Sequence, residues 1–465
     1  PSTSDPLALS VALCAHTSSA LQFFVTNSSD VDTPGPDGVA GGNVWELVVD
    51  PQGLGNWTGL ITDNGGKLAI WNASSSDSLE LGASNSGLLH EHPDALPFLG
   101  DTTSNQGLLF SPPFSPPPLY QPSYPNYTLP VANITPPSPP SNVPNFTLLL
   151  SPTSAQNLTA LPQTACALRG FAAGNRVHPA SGGGGNVLEE QQWLRDADGW
   201  RTEWLVGGLT PLTNYTAYTI QDQTKVNGPI YFTTKSASFS CPLVHALPYC
   251  PRTAYAAPLP APPSPALAYT AASFPQELST PLLSYLTNFT ASLLTLACGR
   301  EYYSPLQSCA DCQRAYRDWL CAVQLPRCTE APPVNSSTTT TSSSTSTSGA
   351  RQTDGAQVPF PALLPQPYPA SSSLAPRNPA LAAALSGNSK QNQNQNQNYT
   401  ALLPCLETCH AADRACPAFL GFKCPRSNFG ANASYGVGYV DDEERGAGMG
   451  TTGAAQDRYG NVWCN

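Results

Sequence analysis

The sequence predicts an α+β, multi-domain chain in which N-terminal β-sandwich-like units precede a helical, disulfide-rich domain. Three observations carry this. Apolar runs before residue 241 are short and separated by Gly, Asp, Asn and Pro. After that point apolar residues recur at helical spacing. Twelve of the fourteen cysteines lie between Cys241 and Cys464. At 465 residues the chain exceeds what one hydrophobic core usually organises, so two or three domains are expected.

Residues 1–110 read as the first β-rich unit, with LQFFV at 21–25 and VWELVV at 44–49 as strands. A proline-rich connector follows at 111–144, where SPPFSPPPLY and PPSPPSNVP cannot donate ladder hydrogen bonds. Residues 145–240 read as a second sandwich-like unit, carried by FTLLL at 146–150, WRTEWLV at 200–206, TNYTAYTI at 213–220 and IYFTT at 230–234. Within it Leu209, Pro211, Thr213 and Tyr215 resemble the corner of fibronectin type III sandwiches, where a tyrosine hydroxyl bonds nearby backbone. Residues 241–465 form the helical domain: Leu282, Leu286, Phe289, Leu293 and Leu296 keep helical spacing, as do Cys312, Ala315, Tyr316, Trp319 and Val323. An insert at 331–398, with NSSTTTTSSSTSTSG and QNQNQNQN, lacks the apolar content to fold and is expected to be disordered.

Composition excludes several partners. Charged residues make up 11% of the chain, 49 residues are proline, and the net charge is −11 without a Lys/Arg cluster. Nucleic acid and anionic lipid are therefore poor partners. The longest apolar stretch, Leu282 to Ala297, is broken by Ser284, Thr287, Asn288, Thr290, Ser292 and Thr295, so no membrane span is expected in this chain. The start at Pro1, without Met or an apolar leader, suits a mature secreted chain.

An even, dense cysteine set points to an oxidising compartment and to disulfides from Cys14, Cys166, Cys241, Cys250, Cys298, Cys309, Cys312, Cys321, Cys328, Cys405, Cys409, Cys416, Cys424 and Cys464. Sequons for N-linked glycans occur at Asn27, Asn56, Asn72, Asn126, Asn133, Asn145, Asn157, Asn214, Asn288, Asn335, Asn398 and Asn432. Cys312 and Cys321, nine residues apart, fall on opposite sides of one helix and can tie it to two neighbours. Cys405, Cys409 and Cys416 fall on one helical face, which suggests bridges to a partner helix.

No catalytic residue, metal ligand or cofactor is assigned. Cys309-x-x-Cys312 lacks the second half of a zinc site. Adjacent His90, Glu91 and His92 point in different directions. Cys409 beside His410 offers no thiolate once bridged. The acidic run Asp441 to Glu444 lacks the alternating ligands of a calcium loop, and Gly182 to Gly185 lacks the Lys-Ser/Thr of a phosphate loop. No G-x-S-x-G elbow is present, so the chain reads as a non-enzyme.

The segment CGREYYSPLQSCADCQRAYRDWLCAVQLPRC, Cys298 to Cys328, resembles the signature of the fungal stretch-activated calcium-channel component, and YFTTKSASFSCPLVHALPYC from Tyr231, LGDTTSNQGLLFSP from Leu99 and GFKCP from Gly421 look like the same family. The resemblance implies an extracellular accessory subunit of a large four-repeat, voltage-gated-like calcium channel, reached through the endoplasmic reticulum and acting at the outer face of the plasma membrane. It also implies a cysteine-rich domain similar to frizzled-type modules and to the sodium-leak channel's accessory subunit. Arg314, Arg317 and Asp318 are the candidate channel-contact residues, with Arg314 and Asp318 at i, i+4 able to pair on the helix surface. The competing reading is a cell-wall glycan receptor or mechanosensor, in which Trp45, Trp57, Trp71 or Trp204 stacks on sugar.

Overall fold

Pro6–Leu13 (β1) and Gln22–Thr26 (β2), whose FFV run is buried on both faces, are the central strands of two three-stranded antiparallel sheets. The computed structural model describes residues 6–15, 21–28, 30–60, 66–116, 129, 131, 138–154, 158–175, 186–196, 198–296, 298, 304, 306–330, 351–353, 356–358, 400–426, 431–436 and 464–465. The chain is β-rich with few helices and divides into two units, each discontinuous in sequence.

The first unit comprises residues 1–98, 141–188 and 214–231. After the short helix Pro36–Val39 (α1) come Trp45–Glu46 (β3), Leu54–Leu60 (β4), Lys67–Trp71 (β5) and Leu79–Ser84 (β6). The sheets β4-β1-β6 and β3-β2-β5 enclose Val11, Phe23, Val25 and Leu47. Of the VWELVV run only two residues form a strand, because Val44 and Leu47 turn inward on either side of it.

Seven strands follow in the chain: Phe98–Thr102 (β7), Gly107–Phe110 (β8), Phe146–Pro152 (β9), Asn186–Asp196 (β10), Gly199–Gly207 (β11), Asn214–Gln221 (β12) and Lys225–Thr233 (β13). They divide between two sheets, in place of the single second sandwich expected over 145–240. In the first unit, β13-β12-β9 packs Leu149, Tyr218, Ile220 and Val226 against Leu168 of the helix Ala165–Asn175 (α2). The Cys14–Cys166 disulfide joins the end of β1 to that helix across 152 residues of sequence.

The second unit comprises residues 99–140, 189–213 and 232–465. Its largest sheet runs β10-β11-β8-β7. All nine residues of β11 are buried, so this strand is covered on both faces and belongs at the middle of a layer, not on a half-exposed sandwich sheet. Two hairpin strands, Leu243–Val244 (β14) and Tyr255–Ala256 (β15), lead to the helices Gln276–Leu294 (α3), Cys309–Gln324 (α4), Leu406–Ala415 (α5) and Ala431–Ser434 (α6). Leu278, Leu282, Leu286 and Leu320 form one core with Val244, Leu247, Tyr249 and Phe274.

In the expected connector, Phe114 bridges to Trp200 and Leu129 is buried against Cys298, Cys309 and Cys312. The insert at 331–398 lies outside the described residues except for paired strands Arg351–Thr353 (β17) and Ala356–Val358 (β18). Its flanks are neighbours: Cys328–Thr329 (β16) pairs antiparallel with Thr400–Ala401 (β19).

Candidate interaction module

Helix α4 begins where it does because Ser308 and Asp311 form a capping box. The Ser308 amide donates to Asp311 Oδ2 at 2.9 Å and the Asp311 amide to Ser308 Oγ at 3.3 Å, satisfying amides that the first helical turn leaves open. The helix is then fixed from two sides. Cys312 bonds to Cys416 at the end of α5, and Cys321 bonds to Cys250 beside the β14–β15 hairpin. Opposite placement of these two cysteines on one helix therefore ties it to two neighbours.

Cys241–Cys328, Cys298–Cys309, Cys405–Cys464 and Cys409–Cys424 complete the set, and no cysteine is free. Of the three cysteines expected on one face of α5, only Cys416 reaches the partner helix. Cys405 and Cys416 are the N-cap and C-cap residues with extended backbone, so helical spacing does not set their direction.

Aromatic rings fill the seam between α3, α4 and the turn after α5. Phe289 stacks on Tyr316 with centroids 3.6 Å apart and planes at 9°, and Trp319 meets Phe422 edge-on at 4.9 Å. The Trp319 indole N–H donates to the Tyr435 hydroxyl at 2.9 Å.

Beneath the helices lies a buried ionic node. Arg327 donates from Nε to Asp101 Oδ2 at 2.9 Å and from Nη2 to the Gly100 carbonyl at 2.8 Å, while Lys235 Nζ stands 3.6 Å from the other Asp101 oxygen. Burial pushes the Asp101 carboxyl up, but the attraction of Arg327 and Lys235, with hydrogen bonds from Arg327 and the Thr102 amide, outweighs it and holds the pKa below the usual carboxylate value. The node joins segments far apart in sequence: Leu99–Asp101, Lys235 and the Pro326–Cys328 tripeptide. Asn465 Nδ2 donates to the Ala322 and Leu325 carbonyls at 2.9 Å each, and the Tyr255 hydroxyl to the Leu325 carbonyl at 2.7 Å.

A second buried pair escaped the sequence reading. His245 Nδ1 and Glu203 Oε1 are 2.5 Å apart and both side chains are 1% exposed, with Glu189 Oε2 3.8 Å from His245 Nε2. The signal was available: a carboxylate inside the apolar run WRTEWLV requires a buried partner.

The candidate contact residues separate. Arg314 is exposed and pairs with Asp311, one turn before it on the helix and held in the capping box, and not with Asp318. Asp318 faces Arg252 at 3.4 Å. Arg317 is corrected from a surface contact to a buried residue, 8% exposed, whose guanidinium pKa is lowered by desolvation; the helix turns it to the same side as Gln313 and Cys321. Gln313 in turn donates to Thr290 of α3 at 2.9 Å.

Other sequence candidates also have definite places. His90 bonds Ser10 Oγ at 2.9 Å, Glu91 pairs with Lys225 at 2.7 Å and His92 meets the Val226 carbonyl at 3.3 Å, so the three diverge. Among the described residues, the ligand groupings are Cys14/Glu80/Cys166 and Cys405/Glu407/Cys464, and both sulfurs of each are in a disulfide. Thr213 Oγ1 bonds the Pro211 carbonyl at 3.0 Å and Tyr215 is buried at the start of β12. Trp204, 2% exposed, is a core residue and unavailable to sugar; Trp45 and Trp71 are about two-fifths exposed, and Trp45 tilts against Trp57 at 5.6 Å.

Asn56, Asn72, Asn145, Asn214 and Asn288 are exposed and Asn27 is half-buried. Asn126, Asn133, Asn157, Asn335, Asn398 and the Asn432 side chain lie outside the described residues, as do Asp441 to Glu444 and Gly182 to Gly185. No helix of the described residues is long and apolar enough to cross a membrane.

Fold and module together define a disulfide-braced scaffold in which helices are clamped onto a buried β-sheet. A family profile described as "Mid1: Stretch-activated Ca2+-permeable channel component" matches residues 6–452, and the chain belongs to this fungal family. It is 35% identical over 469 aligned residues to the "Stretch-activated cation channel MID1" of Cryptococcus neoformans, covering 93% of this chain and 70% of that relative. It is 27% identical to "Stretch-activated cation channel yam8" of Schizosaccharomyces pombe, over 51% of this chain and 41% of the relative. A third relative, "Stretch-activated cation channel MID1" of Saccharomyces cerevisiae, is 27% identical over 47% of this chain and 34% of its own length.

Proposed function

We propose that the chain is a non-catalytic, extracellular accessory subunit of a four-repeat, voltage-gated-like calcium channel, supporting calcium influx at the plasma membrane. Family membership supports association with a channel. The observation that carries the reading is the bridging of all fourteen cysteines, seven disulfides that form and persist in the oxidising secretory route and beyond the cell surface. On this reading the cysteine-rich module is of the frizzled-like kind, N-linked glycans solvate the faces that carry Asn56, Asn145 and Asn288, and the chain reaches the surface through the endoplasmic reticulum.

A rigid module suits such a role, because a surface held by disulfides loses little conformational entropy on docking. The test is purification of the tagged chain from fungal membranes in mild detergent, with mass spectrometry of what accompanies it. Recovery of a four-repeat channel polypeptide supports the reading; recovery of wall glycans with no channel polypeptide contradicts it. That second outcome favours the glycan-receptor reading, for which the partly exposed Trp45 and Trp71 are the supporting observation.

A further inference from the structure

We propose that the loop closed by Cys409–Cys424 is the tip by which this chain docks, and that its occupant is an acidic extracellular segment of the pore-forming subunit; the inference rests on the accessory-subunit reading.

The loop is held firmly. The Cys409–Cys424 disulfide closes it, the Cys312–Cys416 disulfide fixes its middle to α4, and Phe422 is seated edge-on against Trp319. Within this frame the backbone turns at Gly421, φ +71, a left-handed conformation that favours glycine. One large apolar side chain points out: Phe419 is 69% exposed although its neighbours Leu420 and Phe422 are packed.

Charge distinguishes the loop from the rest of the chain. Between His410 and Arg426 there are three cations, Arg414, Lys423 and Arg426, and one carboxylate, Asp413, in a protein of net charge −11. Lys423 is 71% exposed and its pairing with Asp413 is long, at 3.8 Å. Arg414 and Arg426 are exposed and have no ion-pair partner among the described residues. An exposed ring on a disulfide-held loop that also carries exposed Arg414 and Lys423, with Arg426 two residues past its closing cysteine, has the composition of a binding hot spot. The surplus positive charge selects a partner segment bearing carboxylates around an apolar residue.

The test uses the full chain co-expressed with the tagged four-repeat subunit in fungal membranes. A photo-crosslinking amino acid replaces Phe419, and in a control Leu267, which is 50% exposed elsewhere in the same unit. The double variant Arg414→Glu, Lys423→Glu is purified in parallel, with its disulfide map and thermal midpoint compared with the parent to establish folding. Expected are crosslinks from position 419, and not 267, to Asp/Glu-rich extracellular loops of the channel, and at least a tenfold loss of recovered complex in the double variant. Crosslinks from 267 alone, or undiminished recovery with the double variant, overturn the docking tip while leaving the accessory role standing. Crosslinks from 419 to phospholipid overturn it in favour of membrane-surface contact, and failure of the parent chain to recover any channel overturns both.

Discussion

Arg327 and Asp101 meet at 2.9 Å across 226 residues of sequence, inside the protein, with side chains only 6% and 2% exposed. This contact anchors the strand that begins the first sheet of the second unit to the segment that ends α4. It explains why LGD at 99–101 and PRC at 326–328 matter to the same fold, since each supplies half of a buried charge pair.

Removing one half is expected to be costly. Asp101→Asn leaves Arg327 and Lys235 buried without a counter-ion, and the expected loss is about 3–5 kcal/mol of stability in denaturant titrations. The reciprocal Arg327→Met is expected to lose a similar amount.

The same pair predicts an acid limb. The folded-state Asp101 pKa lies below its ordinary value of 3.8, so its contribution is fully present above that pH and is lost as pH falls through the folded value. The stability difference between parent and Asp101→Asn is expected to be constant above pH 5 and to shrink below about pH 3.8. A difference that stays constant into strong acid would contradict the pairing.

The Phe289–Tyr316 stack predicts coupling between α3 and α4. A double-mutant cycle with Phe289→Ala and Tyr316→Ala is expected to give an interaction energy of about 0.5–1.5 kcal/mol. Near-additive effects would mean that the rings are held separately.

Loss of Cys312 and Cys416 together removes the bridge between α4 and α5, which spans 104 residues of sequence including the insert. The expected destabilisation is about 2–5 kcal/mol under non-reducing conditions. Limited proteolysis of the Cys312→Ala, Cys416→Ala variant is expected to release residues after 400 as the first soluble fragment.

Exposed sequons predict where glycans sit. Enzymatic deglycosylation in heavy-oxygen water is expected to label Asn56 on β4, Asn145 just before β9 and Asn288 on α3, all of them exposed. Absence of label at all three would contradict passage through the secretory route.

Much of the fold was legible in residue pattern. Leu282, Leu286 and Leu293 keep helical spacing and are buried on α3, and FTLLL and TNYTAYTI became the paired strands β9 and β12. What pattern could not convey was partnership. The run WRTEWLV gives β11 correctly, but its place in the β10-β11-β8-β7 sheet depends on long-range pairing with Gly107–Phe110. Arg317 reads in the sequence as a candidate channel contact, yet α4, held by the Cys312–Cys416 and Cys250–Cys321 bonds, buries it. The exposed tip at Phe419 is likewise hidden, because the apolar run AFLGF at 418–422 between two cysteines reads as core throughout until the disulfides fix which ring points out.

The proposed accessory role requires that this chain assist a pore and not form one. Whole-cell calcium current would be recorded in cells lacking endogenous channels, expressing the four-repeat subunit alone, this chain alone, or both. The account predicts current only when the four-repeat subunit is present, enlarged by this chain, and none from this chain alone even under membrane stretch. A stretch-activated cation current from this chain alone would contradict it.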